Sequence, residues 1–300
     1  MANEADILKR VNEGMKQPAK DIPSLRRFIE RNSKALNAVP PEIGAFHENV
    51  ELRPGLTADI SVPKDAGQSP VLIYLHGGGW VAGSPKSHQK LGMQFAENGY
   101  LTINLDYRLA PENPFPAGLD DCLFAAQWAV DNAAKYGGDA SRMVIGGDSA
   151  GGNLAAATQV ELAAAKSPIA FKAGLLIYGL YDVPEVIRRE KGFAFGLTMM
   201  AKAYLADKYD DAKLNDPRVS PIKAIGNGQA AGIAPQYILC GDADFLLPES
   251  HAMAEACKGA GVSYELDIVP EMPHGFIQIW MLSAARAAQQ RMYDWMRKRV

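Results

Sequence analysis

The chain has 300 residues, 48% of them hydrophobic, and a formal net charge of −3. This length and apolar content suffice for a large core. The charge gives no electrostatic reason to expect a nucleic acid or an anionic membrane as partner. No apolar run approaches the roughly 18 residues that a membrane span needs. The N-terminus lacks an apolar signal segment, and the three cysteines are widely spaced, so we expect a cytoplasmic protein with buried thiols.

Residues 1–46 differ in pattern from the rest of the chain. Their apolar residues at helical spacing are Ile7, Val11 and Met15, then Leu25 and Ile29. This spacing predicts two short amphipathic helices, and Pro40-Pro41 ends the region. We expect residues 1–46 to form a helical cap over a main domain at 47–300.

The main domain begins with two alternating segments, at 49–52 and 56–62, which predict an antiparallel edge hairpin. Short apolar runs follow at 71–75, 101–105, 143–145, 174–178, 237–240 and Tyr264–Val269, with helical stretches between most of them. Strands that alternate with helices predict an α/β fold with a mostly parallel sheet covered on both faces. The run Tyr264–Val269 is a candidate edge strand through which two copies could pair as a homodimer.

The interval between residues 181 and 237 is too long for one crossover helix. We expect a cap insertion there, at about 183–215, that packs with the N-terminal helices. Its apolar residues include Phe193 and Phe195, followed at helical spacing by Met199, Met200 and Tyr204. A stripe of this kind is as typical of a packed core as of a ligand pocket.

Ser149 lies in the motif Gly147-Asp148-Ser149-Ala150-Gly151, after an apolar run and before an alanine-rich stretch. A strand, G-x-S-x-G and a helix in this order predict a sharp turn that raises the serine above the sheet, within reach of a base and a substrate. The motif alone occurs by chance about 0.1 times in this composition, so it needs further context.

The second motif, His76-Gly77-Gly78-Gly79-Trp80, ends the strand predicted at 71–75. Only about 0.004 chance matches to H-G-G-G are expected in a chain of this composition. Glycines leave backbone N–H groups free to stabilise the anion that develops when an acyl carbonyl is attacked. Together with the serine motif, this layout predicts an oxyanion hole made by the N–H groups of Gly77, Gly78 and Ala150.

A serine nucleophile needs a base, and His274 follows the last predicted strand, at the same sheet edge as Ser149. Of the other histidines, His47 lies near the cap boundary, and we expect His88 and His251 at the surface. His47 and His88 precede Ser149 and His251 opens a predicted helix, whereas His274 lies in a loop and fits the chain order serine, acid, histidine.

The orienting acid should follow the strand at 237–240. Asp244 is preferred there, thirty residues before His274 (274 − 244). Asp242 remains an alternative that could instead cap its own turn. Asp267 lies inside the next predicted strand, where its side chain is badly placed to reach the base.

Taken in order, these motifs resemble the bacterial hormone-sensitive-lipase-type family of α/β-hydrolase esterases over about residues 45–280. The matching segments are H-G-G-G-W at 76–80, D-Y-R-L-A-P-E at 106–112, G-D-S-A-G-G at 147–152, D-P-R-V-S-P at 216–221, D-F-L-L-P-E at 244–249 and H-G-F at 274–276. The resemblance implies an eight-stranded α/β-hydrolase sheet with a helical cap, and Ser149, Asp244 and His274 as catalytic triad. The family's acid segment commonly reads D-P-L-x-D-E, from which Phe245 and Pro248 depart.

The resemblance also implies the activity: hydrolysis of short- to medium-chain carboxylic esters through an acyl-enzyme, without metal or cofactor. Its partner would be a small-molecule ester. Candidate substrate-binding residues are Trp80, Phe193, Phe195, Met199 and Tyr204. An amidase, lactonase or carbamate hydrolase could use the same triad. A non-catalytic ligand-binding protein of this fold is a further alternative, disfavoured because all three triad positions are filled.

We expect other polar residues within these motifs to support the site rather than to take part in the reaction. We expect Asp106, Arg108 and Glu112 to form buried or half-buried contacts that brace the oxyanion loop. Asp148 and Glu249 are expected to be supporting groups as well.

Overall fold

The computed structural model describes residues 3–15, 19–190, 196–206 and 209–300, except for the side chain of Met15. The strands are β1 (Ala45–Arg53), β2 (Leu56–Val62), β3 (Ser69–Leu75), β4 (Leu101–Asp106), β5 (Gly138–Asp148), β6 (Ala173–Ile177), β7 (Gln236–Gly241) and β8 (Tyr264–Val269). The helices are α1 (Glu4–Met15), α2 (Ile22–Leu36), α3 (Gln89–Glu97), α4 (Ala117–Asn132), α5 (Ala150–Ala164), α6 (Val183–Arg189), α7 (Leu197–Leu205), α8 (Asp211–Leu214), α9 (Ile222–Gly226), α10 (Leu247–Gly259) and α11 (Ser283–Arg297).

The eight strands form one sheet in the order β1-β2-β4-β3-β5-β6-β7-β8. The first two pairings, β1 with β2 and β2 with β4, are antiparallel, and all pairings from β4 through β3 to β8 are parallel. This confirms the predicted mostly parallel sheet with an antiparallel hairpin at its edge. The apolar runs other than the edge strand β8 are strands buried on both faces, as is typical of parallel sheets.

Alternate residues of β3 enter the two separate cores on either side of the sheet. Ile73 belongs to the same core cluster as Leu154 of α5, whereas Tyr74 packs on Phe95 of α3 with ring centroids 5.5 Å apart. This period of two follows from the pleat of the strand. The helices therefore cover both faces, and the sheet exposes only its edges and strand ends.

The N-terminal region consists of two helices, α1 and α2. At the start of α2, Asp21 accepts a hydrogen bond from the Ser24 N–H at 2.7 Å, a typical N-cap. Leu25 faces the core, whereas Phe28 is 43% exposed. The division into a cap and a main domain stays a prediction.

The insertion between β6 and β7 contains α6, α7, α8 and α9. Phe193 and Phe195, two of the predicted substrate-binding residues, lie outside the described residues. Within the described ranges, no helix combines the length and the hydropathy that a membrane crossing requires.

Candidate active site

Ser149 sits at the turn between β5 and α5, with φ 55° and ψ −119°. A φ in this range is strained for a residue with a side chain, so the surrounding turn must impose it. The flanking glycines make the turn possible because an added Cβ would lie 2.4 Å from the Leu75 carbonyl oxygen at Gly147, and 1.9 Å from it at Gly151. The sequence pattern thus produces the predicted serine raised above the sheet at its carboxyl edge, where it is half-buried.

His274 and Asp244 complete a line of hydrogen-bonding groups that begins at Ser149. The Ser149 Oγ lies 3.0 Å from His274 Nε2, and His274 Nδ1 lies 2.9 Å from Asp244 Oδ2. The Asp244 side chain is fully buried and its Oδ1 also accepts the Leu246 N–H at 2.8 Å. Because a carboxylate only accepts, Nδ1 carries the hydrogen and Nε2 can accept the Ser149 proton.

The two rival aspartates are engaged elsewhere. Asp242 Oδ1 accepts the backbone N–H of Glu271 at 2.6 Å. Asp267 accepts the Tyr237 hydroxyl at 2.5 Å and pairs with Arg291 at 2.9 Å. Neither interaction involves His274, so the geometry agrees with the choice of Asp244.

The glycine loop after β3 is arranged differently from the sequence prediction. The N–H of Gly77 donates to Asp148 Oδ1 at 3.1 Å, so it is not free to bind a substrate oxygen. None of the hydrogen bonds found in the described part of the chain uses the N–H groups of Gly78, Gly79 or Ala150. In the described part of the chain the free N–H groups at this site are thus those of Gly78, Gly79 and Ala150, whereas the N–H of Gly77 is bound to Asp148.

Hydrogen bonds to the loop carbonyls determine where these free N–H groups point. The Gly77 oxygen accepts from His76 Nδ1 at 2.9 Å, and the Gly78 oxygen accepts from the Val81 and Ala82 N–H groups at 3.2 and 3.0 Å. In a trans peptide the C=O and the following N–H point in opposite directions. Fixing the two carbonyls thus also fixes the N–H groups of Gly78 and Gly79.

His76 can hold the loop in this way because it is neutral. Burial lowers the pKa of its imidazole to about 3. The ring stacks on Tyr107 with centroids 4.3 Å apart, and the Tyr107 hydroxyl donates to the His76 carbonyl at 2.7 Å. The first residue of the glycine motif is therefore a fixed structural support.

Gly78 and Gly79 need to be glycine for steric reasons. Their φ angles are 132° and 64°, and a Cβ on Gly78 would lie 2.0 Å from the Ala82 oxygen. A Cβ on Gly79 would lie 1.9 Å from the sulfur of Met200, which shows how closely α7 packs on this loop.

A cavity of about 880 Å³ opens above Ser149. Trp80, Leu197 and Met200 form part of its wall, and α1 and α2 line another part through residues such as Ile7 and Ile29. The helical spacing of the N-terminal residues revealed an apolar stripe, but only the folded chain shows what that stripe faces.

Two predicted substrate-binding residues lie behind the cavity wall. Tyr204 is outside the lining and stacks on Trp80, with ring centroids 4.7 Å apart and 9° between the planes. Met199 is also outside the lining, whereas its neighbour Met200 belongs to it. Trp80 lines the cavity, and Tyr204 packs behind it.

The supporting groups are partly as expected. Arg108 pairs with the buried Asp121 at 2.9 Å and so holds α4. The prediction of a buried or half-buried Glu112 is wrong: its side chain is 57% exposed, and it pairs with Arg26 of α2. Glu249 is buried, as expected, and accepts the Asp182 N–H at 2.7 Å.

A sequence model of the family with the α/β-hydrolase fold matches residues 72–278. The chain belongs to this family. The α/β-hydrolase is 34% identical over 222 residues to the carboxylesterase NlhH of Mycobacterium tuberculosis, an alignment that covers 73% of this chain and 70% of that protein. It is 31% identical over 272 residues to an ethyl acetate hydrolase of Pseudomonas putida, covering 87% and 85% of the two chains.

Solved structures agree with these sequence relatives. An esterase of Pyrobaculum calidifontis superposes with a TM-score of 0.85 at 27% identity, over 97% of both chains. The thermophilic carboxylesterase EstE1 from a metagenomic library gives 0.82 at 28% identity, over 93% of this chain and 98% of that one. The α/β-hydrolase is a carboxylic ester hydrolase of the hormone-sensitive-lipase type, as the sequence motifs implied.

Proposed function

We propose that this α/β-hydrolase is a serine carboxylesterase with Ser149 as nucleophile, His274 as general base and Asp244 as the acid that orients the imidazole. The supporting observation is the hydrogen-bonded line from Ser149 Oγ to His274 Nε2 at 3.0 Å and from His274 Nδ1 to Asp244 at 2.9 Å. This line starts at a serine held on a strained turn above the sheet, as nucleophilic catalysis requires.

In the first step, Ser149 Oγ attacks the ester carbonyl while His274 Nε2 takes its proton. The negative charge that develops on the carbonyl oxygen is stabilised by the N–H groups of Gly78, Gly79 and Ala150. Loss of one such donor typically costs about 3 kcal/mol of transition-state stabilisation. His274 then protonates the leaving alcohol, and water, activated by the same imidazole, hydrolyses the acyl-enzyme.

The substrates are short- to medium-chain esters. A cavity of about 880 Å³ is within the range for small-molecule sites, and its wall at Trp80, Leu197 and Met200 is apolar. A relative with 31% identity is named for hydrolysis of ethyl acetate, a small ester. Met200 contacts the oxyanion loop directly, so we place the acyl group against this residue and Trp80.

The test is hydrolysis of p-nitrophenyl esters from acetate to palmitate by the wild type and Ser149→Ala. Ser263→Ala, at an exposed serine before β8, is the matched control. We expect turnover that peaks at short or medium chains and is lost only in Ser149→Ala. Activity retained in Ser149→Ala would refute the nucleophile. Turnover of amides or lactones but not of esters would favour an amidase or lactonase with the same triad.

We also propose that two copies pair through β8. Within the described residues this strand is hydrogen-bonded to β7 alone, which leaves its outer edge open to a second copy. Light scattering should give a dimer at micromolar concentration; a monomer over the whole range would refute the pairing.

A cytoplasmic location is part of the same proposal. Cys122, Cys240 and Cys257 are free, buried thiols, which suits a reducing compartment. Cell fractionation with antibody detection tests this, and recovery outside the cytoplasm would contradict it.

A further inference from the structure

His88, which the sequence suggested was at the surface, is buried beside the nucleophile. It ends the short turn Pro85–His88 that precedes α3, and its side chain is 4% exposed. Its Nε2 lies 3.1 Å from Oδ1 of Asp148, the residue before Ser149. A buried ring in contact with the nucleophile's neighbour has no part in the chemistry described so far.

The hydrogen on His88 Nδ1 follows from the groups around Ser87. The Ser87 hydroxyl donates its only hydrogen to the Ser84 carbonyl oxygen at 2.7 Å. The hydroxyl oxygen of Ser87 also lies 2.8 Å from His88 Nδ1. Because the hydroxyl hydrogen is already used, Ser87 must accept at this contact and the ring must donate.

The partner of Nε2 is a carboxylate surrounded by donors. Asp148 accepts the Tyr74 hydroxyl at 2.8 Å and the Gly77 N–H at 3.1 Å. Burial by itself would raise the pKa of this carboxyl, but the neighbouring His88 and the hydrogen bonds outweigh burial and hold the pKa below its usual value. An ionised carboxylate only accepts, so Nε2 donates too.

Both ring nitrogens therefore face acceptors, Nδ1 the Ser87 hydroxyl oxygen and Nε2 the Asp148 carboxylate. The side-chain amide of Gln278 also contacts His88 Nε2, and the structure places its nitrogen nearest the ring. The charged and titratable groups around the His88 ring are Asp148, His76 at a centroid distance of 5.7 Å and Tyr74 at 6.3 Å.

We propose that His88 is a positioning residue for ester hydrolysis: it orients Asp148, which holds the Gly77 N–H and thereby the loop that supplies the oxyanion donors. This rests on the proposed function. Asp148 accepts a hydrogen bond from the Gly77 N–H, and His76 donates one to the Gly77 carbonyl oxygen, so both backbone polar groups of this glycine are fixed. A shift of Asp148 would turn the Gly77–Gly78 peptide and misdirect the Gly78 N–H.

Two amide variants test the contributions of the two ring nitrogens separately. In His88→Gln the longer side chain places an N–H near the former Nε2, where it can still donate to Asp148. In His88→Asn the shorter amide reaches only Ser87, near the former Nδ1. Both variants replace the imidazole by an uncharged amide, so each is the control for the other in stability.

We expect His88→Asn to lower kcat about ten- to a hundredfold with KM changed less than about twofold, and His88→Gln to stay within about threefold of the wild type. Affinity for a trifluoromethyl ketone, whose adduct with Ser149 carries an oxyanion, should fall in parallel with kcat, while inhibition by the product alcohol should not change. Equal kcat in both variants, or a loss confined to KM, would overturn the proposal.

A measurement on the unaltered protein covers the case in which neither variant folds. The ring ¹⁵N resonances of His88 should show a hydrogen on Nε2, the nitrogen that faces Asp148, and a ring without a hydrogen there would overturn the proposal. If wild-type turnover is lost in Ser149→Ala, the esterase assignment holds whatever the His88 variants do.

Discussion

The guanidinium of Arg26 donates from Nε to the carbonyl oxygen of Val81, 2.7 Å away, and so joins α2 to the segment that follows the oxyanion glycines. The same side chain reaches the Ala110 oxygen at 3.0 Å and both carboxylate oxygens of Glu112 at 2.7 Å. One arginine thus connects the helix that roofs the cavity with the two segments beneath it. Bidentate contacts of this kind give geometric specificity as well as energy.

Loss of this connection should affect substrate binding before it affects chemistry. In Arg26→Ala we expect KM for p-nitrophenyl butyrate to rise several-fold, because α2 would no longer be held over the cavity, with a smaller change in kcat. Steady-state kinetics measure this. Arg27→Ala is the control, since the side chain of Arg27 donates a hydrogen bond to Ser24 within the same helix rather than to the segments beneath α2. Similar kinetics in the two variants would contradict the role of Arg26.

The pair also predicts a pH dependence of stability. The hydrogen bond from Arg26 lowers the pKa of Glu112 from 4.5 to about 2. A carboxyl with a lowered folded-state pKa stabilises the fold above its ordinary pKa, and this contribution is lost as the pH falls from about 5 toward 2. We expect Glu112→Gln to lower Tm at pH 7 by a small amount, because the pair is exposed, and the difference from wild type to vanish near pH 2. A difference that is independent of pH would refute this coupling.

The choice between the two aspartates after β7 can be tested by a matched pair of variants. Asp244→Asn should lower kcat about 10⁴-fold because the imidazole would lose the acceptor that holds its reactive tautomer. Asp242→Asn should remain near wild type, since Asp242 contacts the Glu271 N–H rather than His274. Single-turnover kinetics with p-nitrophenyl acetate measure both. A large loss in Asp242→Asn with an active Asp244→Asn would reverse the assignment.

Met200 should limit the length of the acyl chain. It lies against Gly79 and lines the cavity, so Met200→Ala should open space there and shift the preference from butyrate toward octanoate. Because Met200 is 5% exposed, the truncation should also destabilise the fold by about 2 kcal/mol or more. Chain-length profiles and denaturant unfolding measure the two effects.

Met199→Ala is the control because Met199 is partly buried beside the cavity but does not line it. Its chain-length profile should match the wild type. If Met199→Ala rather than Met200→Ala shifts the profile, the acyl group lies on the other side of α7.

The sequence by itself determined the sheet and the order of the motifs. Six apolar runs separated by helical stretches sufficed for the parallel strands, since burial on both faces leaves little freedom in composition, and two alternating segments sufficed for the edge hairpin. The motif order also led to Ser149 and His274, because glycines around a sharp turn and a histidine after the last strand are local features. The sequence favoured Asp244 over Asp242 without excluding Asp242. The two residues are two positions apart, and only the direction of each side chain in the fold decides which one reaches His274.

Tertiary structure alone decided which N–H groups are free and what surrounds them. Gly77 and Gly79 cannot be told apart in a run of three glycines. In the fold they differ because the Asp148 carboxylate, at the end of β5, accepts the N–H of Gly77. His88 looked like a loop residue at the surface because its burial depends on contacts with Asp148 and Gln278, which are 60 and 190 residues away. Such contacts join residues that are far apart in the sequence, so a local sequence pattern does not predict them.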